Sequence, residues 1–172
     1  MKDFLTRPAW IEIDLDKFEN NMKEITKMIG ENTELMSVVK SDSYRLGAIP
    51  LSKISVDLGI KYFAVATLSE ALILRKEFPE IKILVLGYTP ENLFEDAIKN
   101  HIILTIYSLD DSKVLNEKAK ELSEKAVIHI AIDSGMSRIG FTTSEESKKQ
   151  IKEISNLKKY LCRRNFFSLC CL

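Results

Sequence analysis

Five short apolar runs, each followed by a stretch with helical spacing, restrict this chain more than any other feature. Leu35 to Val39, Tyr62 to Thr67, Ile81 to Leu86, Ile102 to Tyr107 and Ala126 to Ile132 are apolar and bounded by polar residues, which predicts buried strands. Between and after them lie helical patterns. These are Ile49 to Gly59, a stretch capped by Ser69 that carries Ala71, Leu72, Leu74 and Arg75, and Glu91 to Lys99 opened by Pro90. Asp110 to about Lys125, with Val114, Leu115, Ala119 and Leu122 inward, and Ser144 to Asn156 complete the set. Strands alternating with helices at this spacing form parallel βαβ units, a sheet covered by helices. An open doubly wound sheet and a closed eight-stranded barrel both satisfy the pattern, and periodicity does not decide between them. No Gly-x-Gly-x-x-Gly turn follows the first buried strand, which weakens the dinucleotide-binding version.

Ahead of these units, Trp10 to Leu15 alternates apolar and polar residues and predicts a half-buried strand. Asp16 then serves as cap for a helix whose apolar face runs Phe18, Met22, Ile25, Met28 and Ile29 to Gly30. At 172 residues and 45% hydrophobic, the chain can bury the core of one ordinary domain. Lys+Arg and Asp+Glu both total 25, so no face for nucleic acid is expected. Neither a signal peptide pattern nor a membrane-length apolar run is present, and the expected location is the cytoplasm, with no membrane partner. Cys162, Cys170 and Cys171 have no metal-like or disulfide-framework spacing, and no metal site is expected.

Chemistry enters at Val38-Val39-Lys40-Ser41-Asp42-Ser43-Tyr44, where an apolar strand ends on a lysine. Such a lysine has its stem in apolar surroundings and its amine at the carboxyl edge of the sheet. Desolvation there disfavours the ammonium and favours a nucleophilic amine, although a lysine that snorkels to solvent fits the local sequence as well. In both candidate architectures reactive groups gather at the carboxyl ends of the strands. Lys40, Thr67, Gly87 and Asp133 all stand at such ends. A second cluster, Asp133-Ser134-Gly135-Met136-Ser137-Arg138-Ile139-Gly140-Phe141, leaves the fifth strand, with two glycines bracketing an arginine suited to an oxyanion, phosphate or carboxylate.

Together these segments resemble the alanine racemases, in that family's order and spacing, from about Arg7 to Leu157. The resemblance rests on Arg7-Pro8-Ala9-Trp10-Ile11-Glu12-Ile13-Asp14-Leu15, Val38-Val39-Lys40-x-Asp42-x-Tyr44-x-x-Gly47-Ala48 and Phe63-Ala64-Val65-Ala66-Thr67 with Glu70-Ala71. Ile83-Leu84-Val85-Leu86-Gly87 and Asp133-Ser134-Gly135-Met136-x-Arg138-x-Gly140 extend it. It implies a partial (β/α)8 barrel of the TIM type, about five βα units, binding pyridoxal 5'-phosphate. It further implies that Lys40 holds the cofactor as an internal aldimine and serves as one of two bases that move the α-proton. By the same resemblance Tyr44 bonds the phosphate, Arg138 lies near the phenolic oxygen, and Val38 and Leu86 line the ring pocket. Val38 and Leu86 read equally well as barrel filler. The implied substrate is alanine, for D-alanine and cell-wall precursor supply, in a homodimeric parent enzyme.

Departures from the family are specific. Arg45 stands where the family loop has glycine, and Leu46 where it has histidine. Ala131 stands where many members carry a carbamylated lysine that orients the arginine, and His129 reads as a strand residue and not a ligand. The family also has further barrel strands and a second domain supplying a tyrosine, the other base. Three readings follow: an amino-terminal racemase domain at 1–157, inactive by itself and acting in its parent on alanine or on serine or another small amino acid; a non-catalytic cofactor-binding module; and an unstable half-barrel with open strand edges. Lys158 to Asn165 is not expected to form a sixth strand, and 158–172 is expected to be an out-of-frame tail. One choice of codons for Cys162 to Cys170, shifted by a base, encodes Val-Glu-Gly-Ile-Phe-Ser-His-Phe-Ala, which resembles the family's next strand.

Overall fold

Six parallel strands stand side by side in the order in which the chain makes them: β1 (Met36–Val38), β2 (Tyr62–Val65), β3 (Lys82–Val85), β4 (Ile103–Ile106), β5 (Ala126–Asp133) and β6 (Leu161–Ser168). The computed structural model describes residues 10–157 and, for backbone only, 161–168. Arg7 to Ala9, Lys158 to Tyr160, and the side chains of all three cysteines therefore lie outside the described residues. Each crossover steps to the next neighbour in one direction, with pairs such as Ala64↔Leu84 and Ile106↔Ile130 in register. A doubly wound sheet would reverse direction at a switch point; this one never does, and the order is that of a barrel wall.

The helices are α1 (Leu15–Ile29), α2 (Lys40–Arg45), α3 (Ala48–Asp57), α4 (Leu68–Glu77), α5 (Phe94–Lys99, entered through a 3-10 turn), α6 (Leu109–Glu121) and α7 (Glu145–Asn156). Strand alternation assigns the two faces of the sheet. Phe63, Val65, Ile83, Val85, Leu104, Ile128 and Ile130 point to the helices and meet Leu68, Ala71, Leu74, Phe94, Leu115 and Ile154 in the main core. Each such fully buried side chain contributes roughly 1.5–3 kcal/mol. Ala64, Leu84 and Ile103 face the other way, on the opposite side of the sheet, with Met36, Leu86 and Val127 beside them.

Several sequence expectations are corrected. Trp10 to Leu15 is not a strand: no neighbouring strand lies beside it among the described residues, and Trp10 and Ile11 are 60% and 76% exposed. Asp14, not Asp16, caps α1, its carboxylate accepting from the Lys17 N–H at 3.0 Å. α1 buries Met22 alone, while Ile25 and Met28 face outward. Thr67 caps α4 in place of Ser69, whose hydroxyl hydrogen-bonds that of Thr67. Val114 on α6 is exposed, not inward.

The sixth strand is the largest correction. The backbone of Leu161–Ser168 pairs in parallel with all of β5, from Ala126↔Leu161 to Asp133↔Ser168. The free edge of β5 offers a full row of donors and acceptors, and main-chain pairing needs no particular side-chain pattern.

Candidate active site

The chain reverses its handedness directly after Lys40. Ser41, Asp42, Ser43 and Tyr44 have φ between 51° and 56°, and Arg45 follows at 72°. The segment after the lysine is thus a left-handed helical turn. L-residues in this region cost roughly 1–2 kcal/mol each, so five in succession form a strained element that its surroundings must hold. Asp42 supplies part of the hold: its carboxylate accepts from the Ala48 N–H at 2.7 Å and so caps α3, where Gly47 has no side chain to do so. Val39 N–H donates to Ala64 O at 2.9 Å and fixes the strand end just before the lysine. Arg45 does sit at positive φ, a conformation that costs an arginine more than it would a glycine.

Lys40 is half-buried and lines a small cavity of about 90 Å³ with Leu86, Thr105, Ala131, Met136, Arg138 and Ile139. Three residues singled out from sequence, Lys40, Leu86 and Arg138, therefore meet at the carboxyl edge of the sheet, and Ala131 lies among them. The other two are placed differently. Tyr44 is 61% exposed, with its ring centroid 5.8 Å from the Lys40 Nζ. Val38 is 43% exposed on the strand below and does not line the cavity. Thr105 holds the cavity floor by donating its hydroxyl proton to Val85 O at 2.6 Å.

The loop bearing Arg138 is fastened by its own backbone. One Asp133 oxygen accepts from the N–H groups of Gly135 and Ser137, both at 3.0 Å, and these donors hold the Asp133 carboxyl below its usual range. Phe141 closes the base of the loop: its N–H donates to Ala131 O, and its carbonyl accepts from Asp133 N–H, both at 2.9 Å. Ala131 is thus engaged through its main-chain carbonyl. Met136 and Ile139 belong to the Arg138 cluster noted in the sequence but were given no role of their own there, and Thr105 was not picked out, because nothing local distinguishes it from barrel filler.

Tyr88 and Tyr107 follow β3 and β4 at the same edge, with ring centroids 6.3 Å apart. Burial, with Asp111 and Tyr88 adding to it, pushes the Tyr107 phenol up to about 12. It therefore stays protonated at neutral pH. No helix among the described residues is long and apolar enough to cross a membrane.

A family model for the alanine racemase N-terminal domain matches residues 13–171. The alanine racemase of Clostridium perfringens (strain SM101 / Type A) is 44% identical over 155 residues, covering 90% of this chain and 40% of the relative. Among solved structures, alanine racemase from Clostridium difficile 630 superposes with a TM-score of 0.90 at 40% identity, covering 97% of this chain and 44% of that one. Alanine racemase from Bacillus anthracis with bound L-Ala-P gives 0.85 at 30% identity, over 95% of this chain and 42% of that one. The chain thus spans about 40% of the length of the first of these relatives. It belongs to the alanine racemase N-terminal domain family.

Proposed function

We propose that this chain supplies the pyridoxal 5'-phosphate-holding part of an enzyme that interconverts L- and D-alanine. The observation that supports the reading most is the meeting of Lys40, Leu86 and Arg138 at one cavity of a racemase-like barrel wall. The donor set suits such a group: an amine for an aldehyde, a guanidinium for a phenolate oxygen, and an apolar side chain for a ring face. Lys40 would hold the group covalently through Nζ, Arg138 would face its phenolic oxygen, and Leu86 would pack on its ring. Tyr44, at the exposed end of the left-handed turn, would take its phosphate, with Val38 on the strand below. When bound, the cofactor supplies an electron sink for the pair left behind as the α-proton departs.

Within this chain Nζ of Lys40 is the base for one face of the substrate carbon. Racemisation needs a base on each face, and in the family reading the other is a tyrosine beyond the matched stretch, acting across a homodimer. The substrate is thus read as a small amino acid, and the location as cytoplasmic.

Borohydride reduction after reconstitution with pyridoxal phosphate tests the reading. The label is expected on Lys40, and Lys40→Ala is expected to abolish the cofactor's bound absorbance. A label on another lysine with Lys40 unmodified overturns the assignment. Alanine racemisation by this chain alone, at the rate of a full-length relative, would overturn the assignment of the second base.

A further inference from the structure

The two carboxylate oxygens of Glu70 join segments that meet beside Lys40. Oε1 accepts from the Ser41 N–H and Oε2 from the Ala66 N–H, both at 2.8 Å. Glu70 is the third residue of α4, whose cap is Thr67. A glutamate at that position ordinarily folds back onto the N–H of the capping residue. Here one oxygen goes to the residue before the cap, and the other crosses 29 residues of sequence to the amide that follows Lys40. Helix capping does not account for that second bond.

The left-handed turn does. Its other fastenings run inward or onward: Ser43 N–H to Val39 O, Gly47 N–H to Asp42 O, and Ala48 N–H to the Asp42 carboxylate. These shape the turn and tie it to α3, but they do not tie its first residue to β2. An unrestrained L-chain relaxes toward right-handed φ, and rotation on either side of Lys40 would swing its side chain away from the cavity. Two links to the β2 segment bracket the lysine: Val39 N–H on Ala64 O before it, and Ser41 N–H through Glu70 to Ala66 N–H after it.

We propose that Glu70 is a positioning residue for Lys40: its carboxylate pins the first amide of the left-handed turn to the end of β2 and so holds the Lys40 amine at the cavity shared with Leu86 and Arg138. This rests on the reading of Lys40 as the cofactor-holding lysine. Glu70→Ala removes both acceptors, whereas Glu70→Gln keeps one acceptor oxygen and replaces the other with a donor.

The full chain is used, with amide exchange followed by NMR and pyridoxal phosphate binding followed by absorbance and borohydride mapping. In Glu70→Ala the Ser41 and Ala66 amides are expected to exchange about tenfold faster or more, with Phe63 and Ile83 unchanged. Affinity for pyridoxal phosphate is expected to fall by about tenfold or more, with label spreading from Lys40 to surface lysines. Glu70→Gln should lie between, and it decides the matter where Glu70→Ala does not fold. Faster Ser41 exchange with unchanged affinity and unchanged labelling of Lys40 overturns the proposal, as does unchanged Ser41 exchange. Failure of the unmodified chain to label Lys40 is a different result: it removes the cofactor reading, and this proposal with it.

Discussion

Gly140 lies so close to Asp133 that a β-carbon on Gly140 would sit 2.7 Å from the Asp133 backbone nitrogen. The same atom would stand 3.0 Å from the Ile132 carbonyl carbon and 3.2 Å from Ala131 O, and Gly140 has φ of +128°. All three neighbours are main chain, so no flexible side chain can give way. This glycine is what lets Phe141 return to β5 and close the loop that carries Arg138.

Gly140→Ala is therefore expected to destabilise the chain by roughly 2–3 kcal/mol, from positive-φ strain and backbone overlap together. Gly59 is the control: its φ is +83°, but nothing lies within 4 Å of an added β-carbon, so Gly59→Ala should cost about 1 kcal/mol. Thermal unfolding of the two variants measures the difference. Equal losses would show that contact at Asp133 adds nothing.

Arg45 gives the opposite case. Its φ of 72° suits glycine, and Arg45→Gly should relieve about 1–2 kcal/mol of strain while adding roughly 0.4–1 kcal/mol of unfolded-chain entropy. The expected net effect is stabilisation of about 0.5–1 kcal/mol, seen as a higher denaturant midpoint with unchanged slope. A lower midpoint would mean that the arginine side chain itself holds the turn.

These two positions show what was legible in the sequence. A glycine or its replacement can be located in a motif, but the atoms crowding it come from residues several positions away. The alternating apolar runs locate the five strands between Met36 and Asp133 because burial on both faces writes itself into composition. They misplace Trp10 to Leu15, since alternation records apolar residues without recording whether a neighbouring strand exists. Leu161–Ser168 fails in the converse way, its backbone pairing with β5 where no pattern announces a strand. At the site, Lys40 and Arg138 stand out by chemistry, whereas the bond from Ser41 N–H to Glu70, 29 residues away in sequence, has no local signature.

Asp133 makes the Arg138 loop sensitive to acid. Its carboxyl is lowered from 3.8 by the N–H groups of Gly135 and Ser137. A depressed carboxyl stabilises the fold fully above its unfolded value and loses that contribution as pH falls through the lower folded value. The Gly135 and Ser137 amide resonances should accordingly titrate together with a midpoint below 3.8. Asp133→Asn keeps an acceptor oxygen and should abolish the titration. A midpoint above 3.8 in the unmodified chain would contradict the assigned hydrogen bonds.

At the opposite edge of the sheet one side chain ties together the turns that lead into β3 and β4. Arg75 donates through Nε to Asn100 O at 3.0 Å, through Nη1 to Pro79 O at 2.6 Å and Ile81 O at 2.7 Å, and through Nη2 to His101 O at 3.2 Å. Burial lowers its pKa and nearby Glu80 partly offsets this, but a guanidinium remains charged throughout the ordinary range. A lysine ammonium is a compact donor and cannot span carbonyls from two turns. Arg75→Lys is expected to cost about 2 kcal/mol and Arg75→Met about 3 kcal/mol, because carbonyls left without donors lose more than the bonds themselves. In a chain of this size that corresponds to roughly 4–12 °C in the thermal midpoint. Barrel walls of this kind separate chemistry at the carboxyl edge from stability at the amino edge. Borohydride labelling of Lys40 in Arg75→Lys, below its unfolding temperature, should therefore match that of the unmodified chain. Loss of labelling with little loss of stability would place Arg75 among the residues that shape the site.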